Sequence, residues 1–361
     1  MTNFEKWNTL FNKQDLYAFN GNKNGILWLK VRAICRSRQL NKFLGLNKLR
    51  LSSSKIHEQA KELFSTLEGR SSSTQLLDIF LKDFDNEWYK LEGIDEEKLK
   101  EDLYKVRYYT WGGDQNNSLD KYLIKQYVKI ISSYEDLQNK KAEIAENSWH
   151  YVLNSWYNNW TSYLIESLFK RNKNVISAVG AIKSVDFFIK DYPIDLKITF
   201  FPSQFMQEKL KSRLGKSELS WLKNKAKDFG IHCGNTQSNQ QQLYTLHEQL
   251  SDMGKIEILS ELNTIKKAIV SEAQCAPVEL MTWLYSNQGE MRFGAENRLF
   301  LILVDTNNYE QSWKMKRAFG IIEPIVTSYL NGFKSNKLTC INFSYKEHSY
   351  KALADALFVI K

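Results

Sequence analysis

Acidic residues are missing from one long stretch of this chain. Between Leu16 and His57 there is no Asp or Glu, yet nine basic residues fall there: Lys23, Lys30, Arg32, Arg36, Arg38, Lys42, Lys48, Arg50 and Lys55. Cysteine is scarce as well. The four, at 35, 233, 275 and 340, form no CxxC pair, which argues against a disulfide scaffold and a zinc ribbon. His232 and Cys233 are adjacent, the wrong spacing for a metal clip, and read as structural. No apolar run approaches the length needed to span a bilayer. The start, Met1 to Trp7, lacks the charged and apolar regions of a signal peptide. A cytoplasmic protein with no membrane association is expected. A GxxxxGK[ST] phosphate loop is also missing, which argues against a fused motor.

What is present is ordinary for a globular protein. The 361 residues are 43% apolar and 25% charged, enough for two domains or for one core with large insertions. Ten tryptophans promise a well-filled core. The net charge of +9 has the sign of a polyanion binder. Leu27, Val31, Ile34 and Cys35 recur at helical spacing within the acid-free stretch. That makes Arg32, Arg36, Arg38 and Lys42 candidate contacts to a phosphate backbone; a solvated basic helix face accounts for them equally well.

Residues 1–146 read as a helical, basic N-terminal region. A tryptophan-rich helix over 147–171 places Trp149, Val152, Trp156, Trp160, Tyr163 and Leu164 near one face, a stripe expected in the core. Three short strands follow, near 175–179, 185–189 and 194–199. Residues 205–297 are the least readable. Lys211–Lys227 looks like one basic amphipathic helix, and the polar run 235–242 like a loop. Order returns with Arg298–Asp305, a continuous apolar strand, then a helix over 311–331 and a strand over 338–343.

The centre of the chain is Val185-Asp186-Phe187-Phe188-Ile189-Lys190-Asp191-Tyr192-Pro193-Ile194-Asp195-Leu196-Lys197-Ile198-Thr199. It reads as two apolar strands around a turn at Asp191-Tyr192-Pro193. Alternation along a strand puts Asp195 and Lys197 on one face. Asp186 sits on the neighbouring strand, so two carboxylates and an ammonium converge at the mouth of an apolar hairpin. Charges seldom sit in such strands without a use, because an unpaired buried charge is costly. A salt-bridged surface hairpin is the plainer alternative.

Asp186 followed by Asp195-x-Lys197, with Glu166 on the preceding helix, resembles the PD-(D/E)xK signature of the restriction-endonuclease-like nuclease superfamily. The likeness spans residues 149–201 and, more loosely, 298–345. It departs where Val185 stands in place of the motif's proline. The same D/E-x-K spacing recurs only as Glu96-Glu97-Lys98, in a charged helix.

The resemblance implies an α/β fold in which a mixed central sheet is flanked by helices. Residues 147–361 would carry the αβββαβ core, with an insertion at about 205–297 before the fourth strand. It implies Mg²⁺, with Mn²⁺ as a substitute, held by Asp186 and Asp195 and by the Leu196 carbonyl. Glu166 would serve a second ion or an outer-shell water, and Lys197 the transition state. Lys183, Ser184 and Gln204 would touch DNA. The expected function is Mg²⁺-dependent cleavage of double-stranded DNA by a homodimeric type II restriction endonuclease, paired with a methyltransferase encoded nearby. Alternatives are an effector of another anti-phage defence system, a DNA-repair nuclease, and a non-catalytic DNA-binding module.

Overall fold

The computed structural model describes residues 2–361 except 71, 92, 111–117, 179–181, 183, 232–237 and 289–292, and except the side chains of 85–91. Lys183 and the His232-Cys233 pair therefore lie outside the described residues. The chain is α/β. A mixed six-stranded sheet is covered by helices on both faces.

Helices α1 (Asn3–Asn12), α2 (Lys23–Ile34), α3 (Ser37–Leu46), α4 (Ile56–Leu67) and α5 (Ser73–Leu91) form an N-terminal bundle. Their apolar residues share one core with Ile176, Ile182, Val185 and Phe188, so the bundle is packed on the sheet. Lys30 departs from the basic face expected of it. It is buried, its Nζ 2.5 Å from Asp78 of α5 and 5.5 Å from the Phe188 ring centroid. The acid absent from the local sequence comes from a helix about fifty residues later.

Next come α6 (Glu96–Tyr104), α7 (Leu119–Leu123), a π-helical turn (Ile124–Val128), α8 (Tyr134–Asn139) and α9 (Lys141–Lys170), which runs through position 146. The expected stripe is only partly the buried face of α9: Leu164 is buried and Trp156, Trp160 and Tyr163 pack against the core. Tyr157, Thr161, Leu164, Ile165 and Phe169 are buried, while Trp149 and Val152 are exposed and Trp156 and Trp160 half-buried. Buried Thr161 satisfies its hydroxyl by donating back to the Tyr157 carbonyl.

Strands β1 (Val175–Ser177), β2 (Phe187–Ile189) and β3 (Tyr192–Phe200) make an antiparallel meander. The β2–β3 turn is Lys190-Asp191, not Asp191-Tyr192-Pro193. Lys190 takes a left-handed φ of 54° and Ile189 pairs with Tyr192. Pro193 lies inside β3. Its carbonyl accepts from the Asn297 side chain, so its nitrogen faces a side where pairing begins only at Asp195. No ladder bond is lost there.

The expected single helix at 211–227 is split. Gly215, at φ 68°, ends α10 (Ser203–Leu214) and Ser217 caps α11 (Glu218–Lys227). Part of the expected loop at 235–242 is helical, because Ser238 and Gln241 form a capping box that starts α12 (Asn239–Asp252). Helices α13 (Ile256–Cys275) and α14 (Val278–Ser286) complete this group.

Strand β4 (Arg298–Val304) pairs parallel with β3. The expected 311–331 helix is a 3-10 stretch (Tyr309–Arg317) and α15 (Phe319–Asn331), broken at Ala318. Strands β5 (Thr339–Tyr345) and β6 (His348–Ile360) close the chain, and β6 inserts between β4 and β5. The order is β1-β2-β3-β4-β6-β5. One sheet face, with Ile194, Leu196, Leu299 and Leu301, packs on α9 and α15. The opposite face meets α10–α14 through Phe300 and Ile302, and the N-terminal bundle through Phe188.

Candidate active site

Residue parity decides which side chains meet. Ile194 and Leu196 belong to the α9–α15 core, so Asp195 and Lys197 project to the opposite face. Arg298 alternates with Leu299 and projects the same way. Asp186 has the parity of Phe188, which faces the N-terminal bundle.

Asp186 and Asp195 are brought together, each held differently. The Leu196 N–H donates to Asp186 Oδ2 at 2.7 Å, so this carboxylate caps the backbone of β3. Burial pushes Asp186 up to about 6, and the charges of Asp195 and Glu166 add to the rise. The Asp186 carboxyl therefore feels both neighbouring acids. Asp195 is 4% exposed. Lys197 Nζ lies 3.0 Å from its Oδ1 and 2.9 Å from its Oδ2. The Asp-x-Lys pair shares a face, as the alternation requires.

Glu166 lies on α9, where Phe169 stacks on Phe187 with centroids 5.4 Å apart, and its charge acts on Asp186. Its carboxylate is bound by Lys170 at 2.5 Å, one helical turn on. Among the described residues, no three acidic, His or Cys side chains close into a metal cage.

Arg298 is the site residue that the sequence reading missed. It is 3% exposed and donates from Nε to Asp195 Oδ2 at 3.2 Å and from Nη2 to Glu296 Oε2 at 2.8 Å. Its guanidinium lies 4.9 Å from the ring centroid of Tyr285, whose hydroxyl donates to the Glu296 carbonyl. A charge opening a strand buried on both faces was the available signal, since it demands a partner. Asn297 was missed too. Its buried amide donates to the Pro193 carbonyl at 3.0 Å and to Asn20 Oδ1 at 2.6 Å, and accepts from Leu353 N–H at 3.0 Å. The start of β3 is thereby tied to β4, β6 and the N-terminal region.

The remaining candidates are placed as follows. Arg36 and Arg38 are exposed, while Arg32 and Lys42 are half-buried. Arg32 lies over Trp28, and Arg38 and Lys42 lie over Phe84. Ser184 is half-buried in the turn before Asp186. Gln204 is exposed on α10 and donates to Glu208 at 3.2 Å.

No family model, curated protein or solved structure matches this chain. Among the described residues, no helix is long and apolar enough to cross a membrane.

Proposed function

We propose that this chain is a divalent-metal-dependent DNA endonuclease of the PD-(D/E)xK kind, with Asp186, Asp195 and Lys197 as its chemical centre. One observation carries the reading. The Asp186 carboxyl is raised first by its burial and then by the charges of Asp195 and Glu166, at the mouth of a hairpin that also presents Lys197. Such mutual repulsion costs stability unless a cation relieves it. The succession of α9, β1–β3, a helical insertion and a parallel β4 supports an αβββαβ core.

The donor set fits a hard cation. Two carboxylates from adjacent strands, completed by waters, are the usual provision for Mg²⁺, and Mn²⁺ would substitute. When bound, the ion would supply an activated water and neutralise charge on the scissile phosphate. The protein's own part is positioning. The Leu196 N–H fixes Asp186, and Arg298 fixes Asp195 from the interior side. Lys197, whose side chain is 45% exposed, can leave Asp195 for a phosphate oxygen carrying the developing charge. Glu166 joins only if its pair with Lys170 opens, so its role is secondary.

The substrate proposed is double-stranded DNA, with Arg36, Arg38 and Lys42 on the backbone and the N-terminal bundle and α10–α14 supplying recognition. Within nucleases we favour a dimeric type II enzyme, because both regions provide recognition surface without a motor motif. A second reading, a non-catalytic DNA-binding module, draws on the two cations already paired with Asp195. The test is incubation of the full chain with phage genomic DNA in Mg²⁺, beside a gel shift in Ca²⁺. Discrete fragments in Mg²⁺ with binding alone in Ca²⁺ are expected. Intact DNA in both Mg²⁺ and Mn²⁺ with a normal shift would favour the binding module.

A further inference from the structure

The last two strands run on past the rest of the sheet. β6 begins at His348, whereas its parallel neighbour β4 begins at Arg298, opposite Ala354. The six residues of β6 before Ala354 pair with β5 alone, and the two strands form a ribbon there. At about 3.3 Å per residue the ribbon extends roughly 20 Å. It leaves the sheet at the end that holds Asp195, the register partner of Arg298.

Pairing gives the ribbon two unlike faces. Phe343 opposes Tyr350 and Tyr345 opposes His348 on one of them. Tyr285 of α14 stacks on Phe343 with centroids 4.6 Å apart, and Phe293 stacks on Tyr345 at 4.1 Å. Rings therefore close and stiffen that face. On the other, Asn342 opposes Lys351 and Ser344 opposes Ser349. All four are exposed, and among the described residues none of their side chains makes a hydrogen bond or an ion pair. The turn at the tip, Lys346-Glu347, is left-handed at both residues, with φ of 44° and 66°. Asn-Gly suits such a turn, yet two long charged side chains occupy it. A costly conformation kept at a projecting tip points to a use.

Charge and shape identify the partner. Residues 334–351 hold four lysines against Glu347 as their sole acid, which suits a polyanion. The DNA major groove, about 12 Å wide, admits a two-stranded ribbon, whose strands lie about 4.8 Å apart. The major groove of duplex RNA is too deep and narrow for this. Resting on the DNA-endonuclease reading, we propose that the ribbon enters the DNA major groove and reads base edges with Asn342 and Lys351. An amide matches N6 and N7 of adenine, and an ammonium matches O6 and N7 of guanine. Directly opposed residues have Cβ atoms about 5 Å apart, and base pairs follow one another at about 3.4 Å. The two side chains thus read neighbouring base pairs.

Selection from short DNA duplexes with randomised centres, bound by the full chain in Ca²⁺ and sequenced, tests this. Wild type should enrich a site with adenine and guanine on adjacent pairs. Asn342→Ala should lose the preference at the adenine and Lys351→Ala at the guanine, each by about ten-fold. Circular dichroism and affinity for unselected DNA should change little. Placing 7-deazaguanine at the selected guanine removes only its major-groove N7. That should weaken wild type and leave Lys351→Ala indifferent. Enrichment of the same site by both variants, no enrichment by wild type, or equal binding of duplex RNA would overturn the proposal. A wild type that selects a site in Ca²⁺ but never cuts it in Mg²⁺ would sink the nuclease reading alone. Cutting at a site that both variants still select would sink the ribbon alone.

Discussion

Arg298 and Asp195 are register partners across the parallel β3–β4 pair, and their side chains meet at 3.2 Å in the protein interior. The guanidinium thus approaches the candidate metal ligand from the side away from solvent, while Lys197 approaches from the open side. Asp195 is held in place before any substrate arrives, and the removable cation is the exposed one.

That arrangement makes the pair costly to break singly. Arg298→Met should destabilise the protein by on the order of 3 kcal/mol, because Asp195 and Glu296 lose a buried partner. Adding Asp195→Asn should recover much of the loss, since the stranded charge is gone. Urea denaturation of the two single variants and the double variant measures the coupling. Strictly additive losses would show that the two side chains act independently.

The raised Asp186 gives stability a definite pH dependence. Its folded value of about 6 exceeds the ordinary 3.8, so between these pH values the folded chain keeps a proton that the unfolded chain has released. Stability is fullest below about pH 4 for this group and declines as pH rises through 6, by about 3 kcal/mol in total. Asp186→Asn preserves the acceptor for Leu196 N–H and removes the titration. In chelator at pH 7 the variant should therefore melt higher than wild type. Equal or lower melting with no pH-dependent difference would contradict this.

The basic face of α2 and α3 is expected to serve any DNA sequence alike. Replacing Arg32, Arg36, Arg38 and Lys42 by Ala should weaken binding uniformly and flatten the salt dependence by about 0.9 in log–log slope per lost phosphate contact. Arg32 should matter least, as it is half-buried over Trp28. Lys30, paired with Asp78 in the interior, should not contribute at all. An unchanged slope would assign these cations to a solvated surface.

The hairpin was legible in the sequence because strand alternation is a local property. It set Asp195 and Lys197 on one face and made Arg298–Val304 a buried strand. Partners that depend on long-range pairing were not legible. Strand β6 joins the centre of the sheet although Ala352, Leu353, Ala354 and Ala356 favour helix, because β4 and β5 pair with it on both sides. Arg298 meets Asp195 only through the β3–β4 register, and Asn297 meets Asn20 only through the packing of the N-terminal region. The tryptophan stripe held only in its second half, from Trp156 to Leu164, for another reason. Ring size marked it as core, whereas the buried face of α9 is the one bearing Thr161.

The most direct test of the nuclease assignment is Mg²⁺-dependent cleavage of duplex DNA by Asp195→Asn, compared with wild type and with Lys197→Ala. Both variants should stay folded, since Phe187, Phe188, Ile194 and Leu196 supply the packing of the hairpin, though Asp195→Asn melts lower because Arg298 loses a charged partner. Both should still shift DNA in Ca²⁺, and both should lose cleavage by at least about a thousand-fold, as expected when a metal ligand or the charge facing the transition state is removed. Near-normal cutting by Asp195→Asn would contradict the assignment and leave the hairpin a structural one.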